Sequence, residues 1–101
     1  MRVIAKSALI AFWEKNPEAK QPLLNWFNET CNSTWRNTAD VRLSFATVSI
    51  LKKGRAVFNI AGNKYRLVAS IAFNTQVVFI KFVGTHSQYN RIDAQSVEYK
   101  G

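Results

Sequence analysis

The chain has 101 residues, 48% of them hydrophobic and 13% aromatic. That is enough apolar material to close one core and too little chain for two, so a single domain spanning 1–101 is expected and disorder is excluded. Fourteen Lys and Arg against six Asp and Glu give a net charge of +8, and the excess is one-sided. No carboxylate lies between Asp40 and Asp93, whereas Arg42, Lys52, Lys53, Arg55, Lys64, Arg66, Lys81 and Arg91 all do. Such a distribution attracts polyanions, nucleic acid above all, the alternatives being a solubilising surface or an acidic protein partner.

A lone cysteine, Cys31, rules out an internal disulfide and suits the reducing cytoplasm. The apolar residues after Met1 are interrupted by Glu14 and Lys15 before a secretory pattern develops, and no apolar run approaches the roughly 20 residues of a membrane span. No membrane association is expected.

In chain order, Met1 to Ala5 reads as a short strand. Ser7 is placed to cap a helix through Glu14, with Leu9, Phe12 and Trp13 at core-facing spacing, and Asn16-Pro17 to end it. Pro17 and Glu18 suit the opening of a second helix, in which Leu23, Leu24, Phe27 and Cys31 form the apolar stripe; Pro22 requires either a kink or a start near Gln21. Residues 32–37 read as a polar loop anchored by Trp35, and Thr38 as the cap of a short helix containing Val41 and Phe45. From Ile50 the period changes to two. Ala56 to Ala61, Lys64 to Phe73 and Gln76 to Gly84 form three consecutive strands, separated by Gly62-Asn63 and Asn74-Thr75.

Two-residue turns fix register. Asn59 should oppose Arg66 and Ile60 oppose Tyr65; in the second hairpin Phe73 should oppose Gln76, Ala69 Ile80, Leu67 Phe82, and Val68 Lys81. One face then carries Phe58, Ile60, Tyr65, Leu67, Ala69, Ile71, Val78, Ile80 and Phe82 as core. The other exposes Asn59, Lys64, Arg66, Ser70 and Lys81, with Arg66 and Lys81 close enough to hold one phosphate. Beyond Gly84 a helical turn would place His86, Tyr89 and Asn90 on one side, and His86 is the only imidazole available for proton transfer near neutrality. One His and one Cys cannot make an ordinary zinc site, the acidic residues needed for a two-metal nuclease are missing, and neither a Walker loop nor a nucleophile elbow is present. Metal-free chemistry, with no cofactor, is the expectation.

Two segments then stand out: Val57-Phe58-Asn59-Ile60-Ala61-Gly62-Asn63-Lys64-Tyr65-Arg66-Leu67 and Phe82-Val83-Gly84-Thr85-His86-Ser87-Gln88-Tyr89-Asn90-Arg91-Ile92-Asp93-Ala94. Together they closely resemble the HigB-type toxins of the RelE superfamily, and Arg2-Val3-Ile4-Ala5, the paired helices and the Trp-containing loop extend the likeness over nearly the whole chain. The resemblance implies an α+β fold in which two N-terminal helices pack on a small antiparallel sheet in the order β-α-α-β-β-β. It also implies a ribosome-dependent, metal-independent endoribonuclease that uses the RNA 2'-hydroxyl, paired with a HigA-type helix-turn-helix antitoxin and touching DNA only through it. The rival reading is a basic module that binds RNA or ribosomes without cutting. Ala61 stands where that family's turn usually has glycine, and Gln88 and Asn90 stand where it often has acids.

The candidate catalytic residues are Arg66, Lys81, His86, Tyr89 and Lys64. Arg66 is expected to stabilise the transition-state phosphate, the alternative being a structural partner of Asn59. Lys81 shares that task or moves a proton, unless it is a solvated strand lysine. His86 is the candidate general acid or base, and Tyr89 a base-stacking or proton-transfer residue, each against a packing role. Asn59, Lys52, Lys53, Arg55 and Arg91 are the RNA-binding candidates, with a solvated loop as the alternative for residues 52–55.

Overall fold

A computed structural model describes residues 1–100 and shows an α+β domain. Strand β1 (Arg2–Ile4) leads into helix α1 (Lys6–Lys15), a 3-10 turn at Pro17–Ala19 and helix α2 (Lys20–Cys31); the short helix α3 (Thr38–Ser44) follows. Strand β2 (Ser49–Ile50) and a 3-10 turn at Lys52–Gly54 precede the long strands β3 (Arg55–Ile60), β4 (Tyr65–Ala72) and β5 (Val77–Thr85), and helix α4 (His86–Tyr89) closes the regular structure.

The sheet has five strands in the order β1-β5-β4-β3-β2. Strands β3 to β5 are antiparallel as expected; the short β2 adds to β3, also antiparallel, and β1 joins beside β5 in parallel, with Arg2 opposite Val77. Its arrival covers an edge that the meander alone would leave open. Helices α1 to α3 lie on one face, where Leu9, Leu23, Trp26, Val41, Phe58, Leu67, Ala69, Val78 and Ile80 form the core. Trp35 does anchor its loop: it is buried, stacks near Phe58 with ring centroids 6.3 Å apart, and donates from Nε1 to Ser44 Oγ at 3.0 Å.

Several local expectations change. Ser7 lies inside α1, whose N-cap is Ala5, and α3 is capped by Asn37, whose side chain accepts from the Asp40 N–H at 3.1 Å. Of the two alternatives for Pro22, the later start holds: α2 begins at Lys20, after the 3-10 turn, which puts Pro22 in its first turn, where a missing N–H costs no intrahelical bond. The buried positions of α2 are Leu23, Trp26 and Thr30, while Cys31 is exposed.

The first hairpin keeps the expected pairing of Asn59 with Arg66 and Ile60 with Tyr65. Its turn differs: Ala61 and Gly62, not Gly62 and Asn63, take positive φ, at 54° and 68°. In the second hairpin Phe73 and Gln76 lie outside the ladder, whose last pair is Ala72 with Val77. Ala69 faces Ile80 as expected, but a bulge between Val68 and Ala69 brings Val68 opposite Phe82 and Leu67 opposite Val83. One extra residue on β5, Lys81, is left unpaired, and beyond it every side chain changes face. Val83 therefore packs on the core and Phe82 lies on the other side.

Candidate active site

The side of the sheet away from the helices is built from alternate residues of β3, β4 and β5. Arg66 of β4 pairs with Gly84 of β5, so the guanidinium rises beside the strand end from which α4 departs. Its Cζ lies 5.8 Å from the centre of the Tyr89 ring, and Nη1 donates to Asn63 O at 3.2 Å. The contact with Tyr89 pre-orients the planar cation while leaving its other donors for a ligand.

Helix α4 is held by a reciprocal capping box. The Thr85 N–H donates to Gln88 Oε1 at 2.8 Å and the Gln88 N–H donates to Thr85 Oγ1 at 3.1 Å. This gives Gln88 a local structural task that an acid at the same place would also perform. The His86 N–H donates to Lys64 O at 3.0 Å, tying the start of α4 to the β3–β4 turn, and the His86 side chain is exposed. Lys64, also exposed, reaches Glu18 at 3.5 Å. Arg66, Tyr89, His86 and Lys64 are thereby gathered at one end of the sheet.

Phe82 belongs to the same neighbourhood. Its ring centroid is 6.5 Å from that of Tyr89, and it covers Gly84 so closely that a Cβ there would meet Phe82 Cζ at 2.5 Å. Placing Phe82 in the core by strict alternation is thus corrected by the bulge. The one sequence signal for this arrangement is Gly84 itself, a strand glycine that marks a close approach.

Lys81 and Arg66 are not neighbours across the ladder: Phe82 and Val83 lie between Lys81 and Gly84, the residue paired with Arg66. With a rise of about 3.3 Å per strand residue, the two backbone positions are separated by roughly 10 Å along β5, and the Lys81 side chain is engaged elsewhere. Lys81 Nζ instead donates to Glu98 Oε1 at 2.7 Å. Arg55, expected to grip RNA backbone or else to lie in a solvated loop, opens β3 and is buried, with Nη1 donating to Ala94 O and Val97 O and Nη2 to Glu98 Oε2. The C-terminal segment is therefore fastened on the sheet face at this point. Val57 and Val68, paired on that same face, are buried although they stand outside the main core.

Lys52 and Lys53 are exposed on their turn, and the Gln95 side chain bonds the Lys52 backbone in both directions. Arg91 is exposed just past α4. Asn59 lies opposite Arg66 and also lines a groove of about 460 Å³ at the edge of β3, with Trp26, Glu29 and Phe45. The Glu98 carboxyl is held below the usual glutamate range, first by the hydrogen bond from Lys81 and further by Arg55, against some desolvation.

A small sheet with helices α1 to α3 on one face and Arg66, Tyr89 and Phe82 gathered on the other defines a compact basic domain of the RelE-like kind. The sequence matches the family model for HigB toxin, described as the RelE-like toxic component of a toxin-antitoxin system, over residues 19–92. The chain belongs to that family. It is 29% identical over 92 residues to the "mRNA interferase toxin HigB" of Escherichia coli strain K12, covering 89% of this chain and 88% of that protein. The "mRNA interferase HigB" proteins of Escherichia coli O157:H7 and Shigella flexneri match with the same identity and coverage.

Proposed function

We propose that this chain is an mRNA interferase that cleaves messages on the ribosome without a metal ion. The observation that carries the reading is the convergence of Arg66, Tyr89, His86 and Lys64 where β4, β5 and α4 meet, in a family whose relatives carry that activity in their names. These groups include no carboxylate to ligate a metal, and they match what phosphodiester transesterification requires.

In that reaction the RNA 2'-oxygen attacks the adjacent phosphorus and loses its proton to a base. The bond from phosphorus to the 5'-oxygen breaks, and an acid protonates the leaving oxygen. The products are a 2',3'-cyclic phosphate and a 5'-hydroxyl. Arg66 stabilises the charge that develops on the phosphorane, with Lys64 in support; His86 and Tyr89 move the protons, Tyr89 also offering a stacking face to a base. Lys52, Lys53, Arg91 and Asn59 hold the RNA backbone. DNA lacks the nucleophile and is spared. The activity belongs in the cytoplasm with the ribosomes, and a HigA-type helix-turn-helix antitoxin restrains it and links the pair to DNA.

Primer extension on messages isolated after brief induction tests the proposal. New 5' ends within translated frames are expected, and Arg66→Ala should reduce them by about 100-fold or more while the fold persists, the scale of losing a charge-stabilising donor. Translation arrest with intact messages would replace the enzyme by a non-cleaving binder. Cleavage should also survive a zinc-specific chelator.

A further inference from the structure

The contact between the C-terminal segment and the sheet contains an anion site already filled. Glu98 places one carboxylate oxygen 2.6 Å from Arg55 Nη2 and the other 2.7 Å from Lys81 Nζ. The cations are sheltered, at 10% and 23% side-chain exposure, but the carboxylate is 58% exposed. An anion approaching from solvent therefore meets the replaceable member of the trio first.

The site is built independently of its occupant. Arg55 Nη1 is fixed by Val97 O at 2.7 Å and Ala94 O at 3.2 Å, bonds that do not involve the Glu98 side chain. Gln95 is fixed separately to the Lys52 backbone. Rotation of the Glu98 side chain alone would vacate the site and loosen the segment, with the bonds from Arg55 Nη1 to Ala94 O and Val97 O still tying it to the sheet. Withdrawal without replacement would leave a largely buried guanidinium short of its counter-charge, so the exchange favours an incoming anion with two oxygens to offer.

We propose that Arg55 and Lys81 form a phosphate subsite for RNA, for which the Glu98 carboxylate is the internal stand-in until RNA binds. The proposal rests on the RNA-cleaving reading above and extends it. Arg55 pairs with Ser70, four residues along β4 from Arg66 or roughly 13 Å at strand rise, and Lys81 turns to the carboxylate that Arg55 holds, so this subsite takes a different phosphodiester from the one being cleaved. Its contribution is to grip and align the strand, and Lys81 acts there as a binding residue.

The test is the affinity of the purified full chain for a 2'-O-methyl RNA oligonucleotide, which cannot be cut, followed by fluorescence anisotropy over a range of salt. Glu98→Gln should bind at least about fivefold more tightly than wild type, with a salt slope steeper by about 0.7, the value for one added phosphate contact on a single strand. Glu14→Gln, the same charge change on the exposed side of α1, should shift affinity less than twofold. Adding Lys81→Gln to Glu98→Gln should remove the gain. Glu98→Asp, too short to bridge both cations, should show an intermediate gain and serves if the glutamine variant does not fold. Equal effects of the changes at 14 and 98, no gain in a folded variant, or no RNA binding by any variant at low salt would overturn the proposal. A gain as large for a poly-glutamate peptide would assign the cations to an acidic protein partner and overturn it as well. New 5' ends in cells report on cleavage separately, so the nuclease reading can stand or fall on its own.

Discussion

Ala61 holds φ at 54° at the tip of the β3–β4 hairpin, a conformation in which a Cβ crowds the following carbonyl. Ala61→Gly removes that crowding at some cost in unfolded-chain entropy. It should raise stability by about 0.5–1 kcal/mol, measured as a shift of the urea midpoint at unchanged slope. A loss of stability would mean that the turn tolerates the side chain without strain. The reach of the sequence was limited at this scale: the two-residue turn motif located the reversal and misplaced its left-handed positions by one. The approach of Arg66 to Tyr89, and of the start of α4 to Lys64, was legible because strand alternation and one helical turn suffice to produce it. Arg55 was not, since nothing in Lys52-Lys53-Gly54-Arg55 separates the exposed lysines from an arginine committed to the carbonyls of residues 94 and 97.

Among elements, α4 is the most dependent on local chemistry. It spans only His86–Tyr89, far below the length at which a helix persists by propensity. Its capping box and its link to Lys64 O are what present His86 and Tyr89. Thr85→Ala should cost about 1 kcal/mol in global stability, as N-cap removals do. It should lower cleavage by a larger factor than that loss explains, because the segment frays at its first turn; cleavage equal to wild type in a folded variant would show that α4 holds without its cap. Gln88→Glu should preserve the cap.

Elements were legible wherever periodicity is unbroken, as in α1, α2 and the first hairpin. The second hairpin failed at the bulge, because Phe79 to Val83 alternates acceptably in either register and a single unpaired residue leaves no compositional trace. That one insertion transfers Phe82 to the side bearing Arg66 and separates Arg66 from Lys81. The segment after α4 has no periodic pattern, so its path over the sheet could not be read from its residues.

At the level of the whole molecule, the same segment introduces a pH dependence. The Glu98 carboxyl titrates below its ordinary range because Lys81, then Arg55, favours its charged form. Its contribution to holding the segment is therefore complete above the ordinary glutamate pKa, near 4.3, and is lost as pH falls through the lowered folded-state value. Corrected for intrinsic rates, hydrogen exchange at residues 94–99 should accelerate between pH 6 and pH 3 while central β4 amides stay protected. Glu98→Gln should abolish that change. Unaltered protection of residues 94–99 at pH 3 would show that the backbone bonds to Arg55 suffice alone.

The parallel pairing of β1 with β5 also orders events in time. Arg2 waits for Val77, and Ile4 for Phe79. A nascent chain can form its helices and then the β3–β4 hairpin, but its first strand has no neighbour until the last one has been made, and such distant pairings close late. The residues from Lys64 to Arg91 are delivered in that same closing interval. Completion of the sheet and assembly of the candidate site are thus one event, and on the proposed reading a chain still under construction carries no finished site to turn on its own message.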